Sequence, residues 1–229
     1  FALAATSIGL AIIVALLTAY VATLPGGGAL RSFFRALPSF MVSLPGFWIA
    51  ILLLQFFSFQ LGWVNVVDPT PLEGLILPSL TLAVPMAAPL MQVLIRSIDE
   101  VRAQPFVQVI RARGASEARI FWRDVLRNSL LPAITMAGLL FGELVGGAVV
   151  TETVFGRAGL GSLTVNAVSS RDMPVLLGVV LIAATAYVLI NLIVDLLYPV
   201  LDVRLRDAGQ QSSKAKKSTA QAAVKEGAR

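Results

Sequence analysis

The chain has 229 residues, of which 57% are hydrophobic and only 14% are charged, with a formal net charge of +5. This balance lies outside the range of soluble globular domains and indicates a membrane protein. Cysteine and histidine are absent, which excludes disulfide bonds, metal sites built on those residues and catalytic triads that use them. The sequence also lacks a Walker A motif, so any nucleotide chemistry requires another chain.

Apolar runs dominate the sequence. Each of five runs has about 20 residues or more, enough to cross the hydrocarbon core of a bilayer as a helix. Only the fourth run contains a charged residue, Glu143. We therefore predict an all-α membrane protein with five transmembrane helices in this chain. The runs are Leu3–Leu24, Leu37–Leu61, Leu75–Ile95, Pro132–Thr151 and Val175–Val194, the fourth starting at its proline.

The basic residues predict the orientation of the chain. Of the 18 Lys and Arg residues, all but Arg157 and Arg171 fall on one side of the five runs. Connections rich in Lys and Arg remain in the cytoplasm. We therefore place the loop at about 96–131 and the C-terminal end on the cytoplasmic side, and residues 152–174 outside.

The loop between the third and fourth runs is too long for a simple turn, so we predict that it forms helices of its own. Gly114 interrupts the helical pattern, Ser116 is suited to cap a new helix, and Glu117 in its first turn favours the positive end of the helix dipole. An amphipathic pattern follows, with the apolar pairs Phe121 with Val125 and Trp122 with Leu126 and the basic line Arg119, Arg123 and Arg127. Such a helix either lies at the membrane interface with its arginines on lipid headgroups or docks into a partner protein, and periodicity does not separate the two.

The fourth run contains a candidate translocation site. Gly138, Gly142 and Gly146 recur every four residues, a spacing that lets another helix approach closely in lipid. Glu143 lies beside them, and a carboxylate in lipid is costly unless it faces water or a partner. We assign Glu143, Gly142 and Gly146 to the translocation pathway. Packing inside the bundle is the alternative for the glycines, and protonation or bonding to a neighbouring helix is the alternative for Glu143.

Two further segments complete the chain. The external stretch from Glu152 to Pro174 is rich in glycine, which predicts a turn-rich cap. We divide the chain into a transmembrane domain over 1–207 and a basic tail over 208–229, which we predict to be disordered and near the anionic leaflet. The chain has no basic surface interleaved with aromatic residues, so we expect no nucleic-acid partner.

A family resemblance covers nearly the whole chain. The run "PFVQVIRARGASEARIFWRDVLRNSLLPAIT" resembles the cytoplasmic coupling loop of permease subunits of binding-protein-dependent ABC importers, in the dipeptide, oligopeptide and nickel group. Other segments match that family in the same order: "VSLPGFW", "LPSLTLAVP", "GGAVVTETVF", "RDMPV" and "NLIVDLLYPVLDVRLR". The resemblance implies a type I ABC importer permease fold, with a further N-terminal span before Phe1.

The resemblance also implies partners and site residues. It implies a multi-pass protein of the bacterial cytoplasmic (inner) membrane that works with a second homologous permease, two cytoplasmic ATPase subunits and an external substrate-binding protein. The chain itself is then not an enzyme, and we expect no cofactor. The implied ATPase-coupling residues are Phe106, Gln108, Val109, Arg111, Ala112, Gly114, Ala115 and Arg119. The implied residues of the external gate or binding-protein contact are Phe155, Gly159, Gly161, Arg171 and Asp172.

Two other classes of function remain open at this point. A secondary transporter or channel would depend on an ion gradient and would leave the Arg-rich loop unexplained. A non-transporting scaffold would depend on its basic tail and not on the loop. The motifs do not identify the solute, because permeases for short peptides, peptide-like compounds and nickel chelates share them.

Overall fold

Every regular element in the described part of the computed structural model is helical, as the sequence predicts. The structure describes residues 1–65, 69–70 and 72–201. The α-helices are α1 (Ala2–Thr23), α2 (Gly28–Val42), α3 (Gly46–Leu53), α4 (Glu73–Arg102), α5 (Pro105–Ala112), α6 (Glu117–Arg119), α7 (Leu126–Gly147), α8 (Val149–Val154), α9 (Leu160–Ser170) and α10 (Met173–Leu201). A π-helical segment, Leu54–Gln60, extends α3, and another, Ile120–Val125, joins α6 to α7.

Residues 1–191 form one compact unit and residues 192–229 form a second. Of the second unit, the structure describes only the last turns of α10, up to Leu201. The tail predicted for 208–229, and the end of the predicted transmembrane domain at 207, lie outside the described residues.

The first and third predicted spans, α1 and α4, pack along each other through small side chains. The alanines of α1 that lie on its buried face are at most 4% exposed, and they are Ala4, Ala11, Ala15, Ala19 and Ala22. Ala83, Ala87 and Ala88 of α4 are at most 3% exposed and belong to the same core as most of them. Small side chains let helices approach closely, which strengthens the packing contacts that hold helices together in lipid.

The second predicted span, Leu37–Leu61, is broken in the structure. α2 begins upstream of the predicted run, at Gly28, and the helix that follows it leaves at an angle of 102°. Pro45 explains the break, because proline has no N–H and disfavours helical conformation in the residue before it. It precedes α3 in an extended conformation. Among the described residues, four helices are long and apolar enough to span a membrane, or five if this bent pair counts as one span.

The fourth predicted span also differs from expectation. We expected it to start at Pro132, but the helical path already begins at Glu117 and continues through Pro132 inside α7. The missing N–H of Pro132 withdraws only one intrahelical hydrogen bond, and helices in membranes accommodate such a loss. α7 ends at Gly147, before the predicted end at Thr151. The predicted loop at 96–131 is therefore mostly helical and is continuous with the spans on both sides.

Candidate functional site

The segment between α4 and α7 folds as a helix, a tight turn and a second helix. α5 runs from Pro105 to Ala112, and Gly114 follows with a φ of +83°, in the left-handed region that glycine adopts readily. The Ser116 hydroxyl then accepts a hydrogen bond from the Arg119 N–H at 3.4 Å and caps α6. The predicted helix break at Gly114 and the predicted cap at Ser116 are confirmed.

α5 touches the bundle on one side only. Val107 is its fully buried residue, at 0% exposure, and it belongs to the same apolar core as Ile98 of α4. Val109, by contrast, is 51% exposed although it is apolar. Among the residues implied to couple to an ATPase, Phe106 and Ala115 are partly buried, and the exposed ones are Gln108, Val109, Arg111, Ala112, Gly114 and Arg119. Most of the surface of α5 therefore faces away from the rest of the described structure.

Glu117 connects the elements of this segment. Its Oε1 accepts a hydrogen bond from Nε–H of Arg111 at 2.6 Å, and its Oε2 accepts one from Nη1–H of Arg102 at 3.3 Å. The side-chain hydrogen bond between Arg111 and Glu117 raises the pKa of Arg111 above its ordinary value and lowers the pKa of Glu117 below its own, so the contact favours the charged form of both groups. The sequence indicates only a helix-dipole role for Glu117, because its two partners lie on other helices.

The helix after the turn is amphipathic, as its pattern predicts. Phe121 and Val125 are both 0% exposed, whereas Trp122 is 50% exposed. The Phe121 ring meets the Tyr20 ring of α1 edge-on, with a distance of 4.8 Å between ring centroids. The basic line Arg119, Arg123 and Arg127 is exposed. This face is free to meet lipid headgroups or a partner.

The same helix is fastened to α4 by a buried polar contact. The Ser97 hydroxyl donates a hydrogen bond to the Ser129 carbonyl at 3.1 Å, and the Ser129 hydroxyl lies 3.3 Å from the Ser97 carbonyl. Ser97 is 9% exposed and Ser129 is 0% exposed. Together with Phe121, this contact fixes the start of α7 against α4.

The candidate translocation residues of α7 lie on different faces. Gly142 is buried, and a Cβ added to it would lie 2.5 Å from Cδ2 of Tyr187 in α10. Gly142 therefore serves helix packing, while Gly146 lies in the last turn of α7. Glu143 is exposed, one turn before the helix ends at Gly147, and so lies closer to that end than the sequence suggested.

On the opposite side of the predicted membrane, α8 and α9 form a tight pair around a buried carboxylate. Glu152 is 9% exposed, and its Oε2 accepts a hydrogen bond from the Ser162 N–H at 2.9 Å in the first turn of α9. A negative charge is favourable at that end of the helix. A Cβ on Gly159 would lie 2.2 Å from Oε1 of Glu152, and one on Gly161 would lie 2.6 Å from Cα of Val149. Gly159 and Gly161, which the resemblance assigns to the external gate or binding-protein contact, therefore lie where a side chain would not fit.

Arg157 ties this pair to the first turn of α4. Its Nη1–H donates a hydrogen bond to the Gly74 carbonyl. That carbonyl would normally bond the N–H four residues later, but Pro78 stands there and has none. From the sequence, Arg157 contributes only to the orientation of the chain, and no motif singles out Glu152. The one available signal was an acid and a base placed within a glycine-rich segment.

The remaining external residues have mixed positions. Phe155 is 7% exposed and packs in an apolar cluster with Ala50, Val64 and Leu77. Arg171 ends α9 with a φ of 57°, and Asp172 Oδ1 accepts a hydrogen bond from the Val175 N–H at 3.2 Å at the start of α10. Both residues are exposed. Within this chain, Phe155 holds the external segment in place, and Arg171 and Asp172 form its surface turn.

The described residues form a set of long apolar helices with a short amphipathic helix in the Arg-rich segment between two of them, which is the architecture that the sequence predicts for the membrane subunit of a transporter. The family model for the "Binding-protein-dependent transport system inner membrane component" matches residues 5–207, and the chain belongs to this family. It is accordingly a multi-pass protein of the inner membrane, with the spans described above.

Individual relatives agree with this assignment. The chain is 39% identical over 165 residues to the glutathione transport system permease protein GsiC of Escherichia coli (strain K12), covering 72% of this chain and 54% of the relative. GsiC of Salmonella choleraesuis (strain SC-B67) matches at the same identity and coverage. The chain thus spans about half the length of the curated relatives it matches.

Solved structures confirm the fold. An inward-facing form of the MetNI methionine ABC transporter gives a TM-score of 0.72 at 18% identity, covering 88% of this chain and 92% of that one. An amino acid ABC transporter crystallised with histidines gives 0.63 at 14% identity, covering 85% of this chain and 86% of the other. The chain therefore has the type I ABC importer permease fold.

Proposed function

We propose that this chain is the permease subunit of an ATP-driven importer and forms half of a translocation pathway with a second, homologous permease. Two cytoplasmic ATPase subunits hydrolyse the ATP, and an external substrate-binding protein delivers the solute. The observation that carries the proposal is the placement of α5, which is anchored in the apolar core by Val107, with Phe106 and Ile110 partly buried beside it, and which exposes its other side chains in the Arg-rich segment. A short helix held in this way is suited to dock a partner protein that changes conformation, such as an ATPase subunit.

The proposed mechanism is alternating access. ATP binding closes the ATPase dimer, α5 moves with it, and the long helices rearrange so that the pathway opens to the outside. α5 is suited to this because α4 ends two residues before it and the helical path into α7 begins after a turn of four residues, 113–116. The proposed solute is a short peptide or a peptide-like compound. The relatives named for glutathione, itself a tripeptide, support that class.

Co-purification tests the assembly. We expect the tagged chain, extracted in mild detergent from its native membranes, to bring with it a second permease and ATPase subunits. In proteoliposomes, the recovered complex should take up peptide only when ATP and the binding protein are supplied. Uptake by this chain alone under an ion gradient would overturn the proposal in favour of a secondary transporter, and recovery of no ATPase would remove its basis.

We further propose that Glu143 faces the pathway between the two permeases. It lies on a stripe of α7 that is exposed in this chain, together with Pro132 and Leu139. A carboxylate turned towards lipid costs about 2.5–3.5 kcal/mol at the centre of a membrane-spanning helix and less near a helix end, where Glu143 lies, and the penalty falls away next to water or a polar partner. A carboxylate in the pathway lowers the energy of a cationic solute that passes it.

Replacing Glu143 by glutamine tests this role, because the change keeps shape and hydrogen bonding but removes the charge. We expect Glu143→Gln to slow uptake of cationic peptides several-fold more than that of neutral ones. Glu143→Asp, which keeps the charge, should preserve the preference and serves as the control. Equal slowing of both peptide classes by Glu143→Gln would refute a pathway role, and failure of the complex to assemble would indicate a packing role instead.

A further inference from the structure

The contacts of Glu117 join three consecutive helical elements that are separated in the chain by short turns. The residue itself starts the helical path that leads into α7. One carboxylate oxygen bonds Arg111 on α5, at 2.6 Å, and the other bonds Arg102, the last residue of α4, at 3.3 Å. One side chain therefore connects the proposed docking helix to both of the long helices that flank it.

Arg102 makes this contact hard to replace. Its side chain is 12% exposed, and its guanidinium lies over the ring of Phe121, 5.9 Å from the ring centroid. Its Nε and Nη2 are buried and make no hydrogen bond within the described part of the chain. Glu117 is thus its one ion-pair partner among the described residues. A buried charge without its counter-ion is strongly unfavourable, so the pair is expected to stay closed.

The other attachments of α5 would allow it to pivot. Only two residues, Ala103 and Gln104, separate it from α4, and on its other side Gly114 forms the turn. In the helix itself, Val107 is the single buried residue, and Phe106 and Ile110 are partly buried against the same apolar core. Apolar contacts are non-directional, so without the bonds to Glu117 a force applied to the exposed surface of α5 would tilt the helix on these contacts more than it would move α4 and α7.

We propose that Glu117 is a positioning residue that makes α5 rigid with the ends of α4 and α7, so that displacement of α5 by an ATPase subunit moves both helices. This inference rests on the proposed function as an ATP-driven permease. It assigns to Glu117 the efficiency of coupling, meaning the amount of solute moved for each ATP hydrolysed, and not the binding of solute or nucleotide.

The chain offers a matched control near the same end of α4. Glu100 pairs with Arg96 at 3.1 Å, but the two side chains are 66% and 85% exposed and both lie on α4 itself. This pair joins no separate elements, and ion pairs at such exposure contribute little. Glu100→Gln therefore removes the same chemical group, close by, without touching the proposed connection.

The test uses the complete transporter in proteoliposomes, with uptake of a labelled peptide and ATP hydrolysis measured in the same sample. Allosteric coupling of ordinary strength implies that Glu117→Gln lowers the peptide-to-ATP ratio about fivefold or more. Hydrolysis itself should persist. Arg102→Gln breaks the link from Glu117 to α4 and leaves the bond to Arg111 on α5, so it should also lower the peptide-to-ATP ratio, by no more than Glu117→Gln does. The double variant should have a peptide-to-ATP ratio no lower than that of Glu117→Gln. Glu100→Gln should keep the wild-type ratio.

A wild-type ratio in both Glu117→Gln and Arg102→Gln would overturn the inference. An equal fall in Glu100→Gln would also overturn it, because the effect would then be one of surface charge. If Glu117→Gln does not assemble, Arg102→Gln decides the question alone. Failure of the proposed function has a different signature, since the wild-type complex would then show no ATP-dependent uptake at all.

Discussion

Replacing Gly114 by leucine is expected to lower solute-stimulated ATP hydrolysis about tenfold in the assembled transporter, because forcing a side chain into the left-handed region costs about 1–2 kcal/mol. Gly114 has a φ of +83°, and an added Cβ would meet no atom within 4 Å. The strain is therefore in the backbone and not in packing. Relieving it requires the turn after α5 to rearrange, which displaces the docking surface. The measurement is ATPase activity with and without solute-loaded binding protein.

A second glycine provides the control. Gly26, in the loop between α1 and α2, has a φ of +81° and equally open surroundings. Gly26→Leu therefore introduces the same backbone strain outside the docking segment and should leave the stimulation largely intact. Gly114→Asn should also retain much of it, because asparagine enters the left-handed region more readily than leucine. Normal stimulation in Gly114→Leu would show that the shape of this turn does not matter for coupling.

Substitution of Gly142 by alanine is expected to destabilise the folded protein by about 1–3 kcal/mol, the usual penalty for overpacking a core. The added Cβ would lie 2.5 Å from Cδ2 and 2.7 Å from Cε2 of the Tyr187 ring, which is 42% exposed, so either the ring turns away from Gly142 or α7 and α10 move apart. Either change forfeits a packing contact of the kind that holds helices together in lipid. Thermal unfolding of the purified complex in detergent should show a lower midpoint than that of the wild type.

Two variants check the cause. Gly178→Ala adds the same methyl group to α10 where nothing lies within 4 Å, so it should leave the unfolding midpoint close to that of the wild type. Combining Gly142→Ala with Tyr187→Ala removes the ring that the methyl group meets and should recover part of the loss relative to Tyr187→Ala alone. A wild-type midpoint in Gly142→Ala would show that the two helices do not pack closely at this position.

Local signals predicted much of this structure because they depend on neighbours in the chain. Hydropathy located α1, α4 and α10, and the turn at Gly114 with its cap at Ser116 follows from the conformations that those residue types prefer. Local signals also misled. Pro132 looked like a helix start because proline suits a first turn, yet the helix runs through it. The apolar run at 37–61 hid a bend of 102°.

The sequence by itself determined that the chain lies in a membrane, where α1, α4 and α10 fall and which loop carries the arginines, because composition and periodicity act over one or two turns. Only the tertiary structure decided which groups meet. Glu117 finds Arg102 and Arg111, Arg157 satisfies the carbonyl that Pro78 leaves unpaired, and Gly142 accepts the ring of Tyr187. The contacts of Arg157 with Gly74 and of Gly142 with Tyr187 join residues far apart in the chain, and all of these pairings depend on how elements pack, which no local pattern encodes.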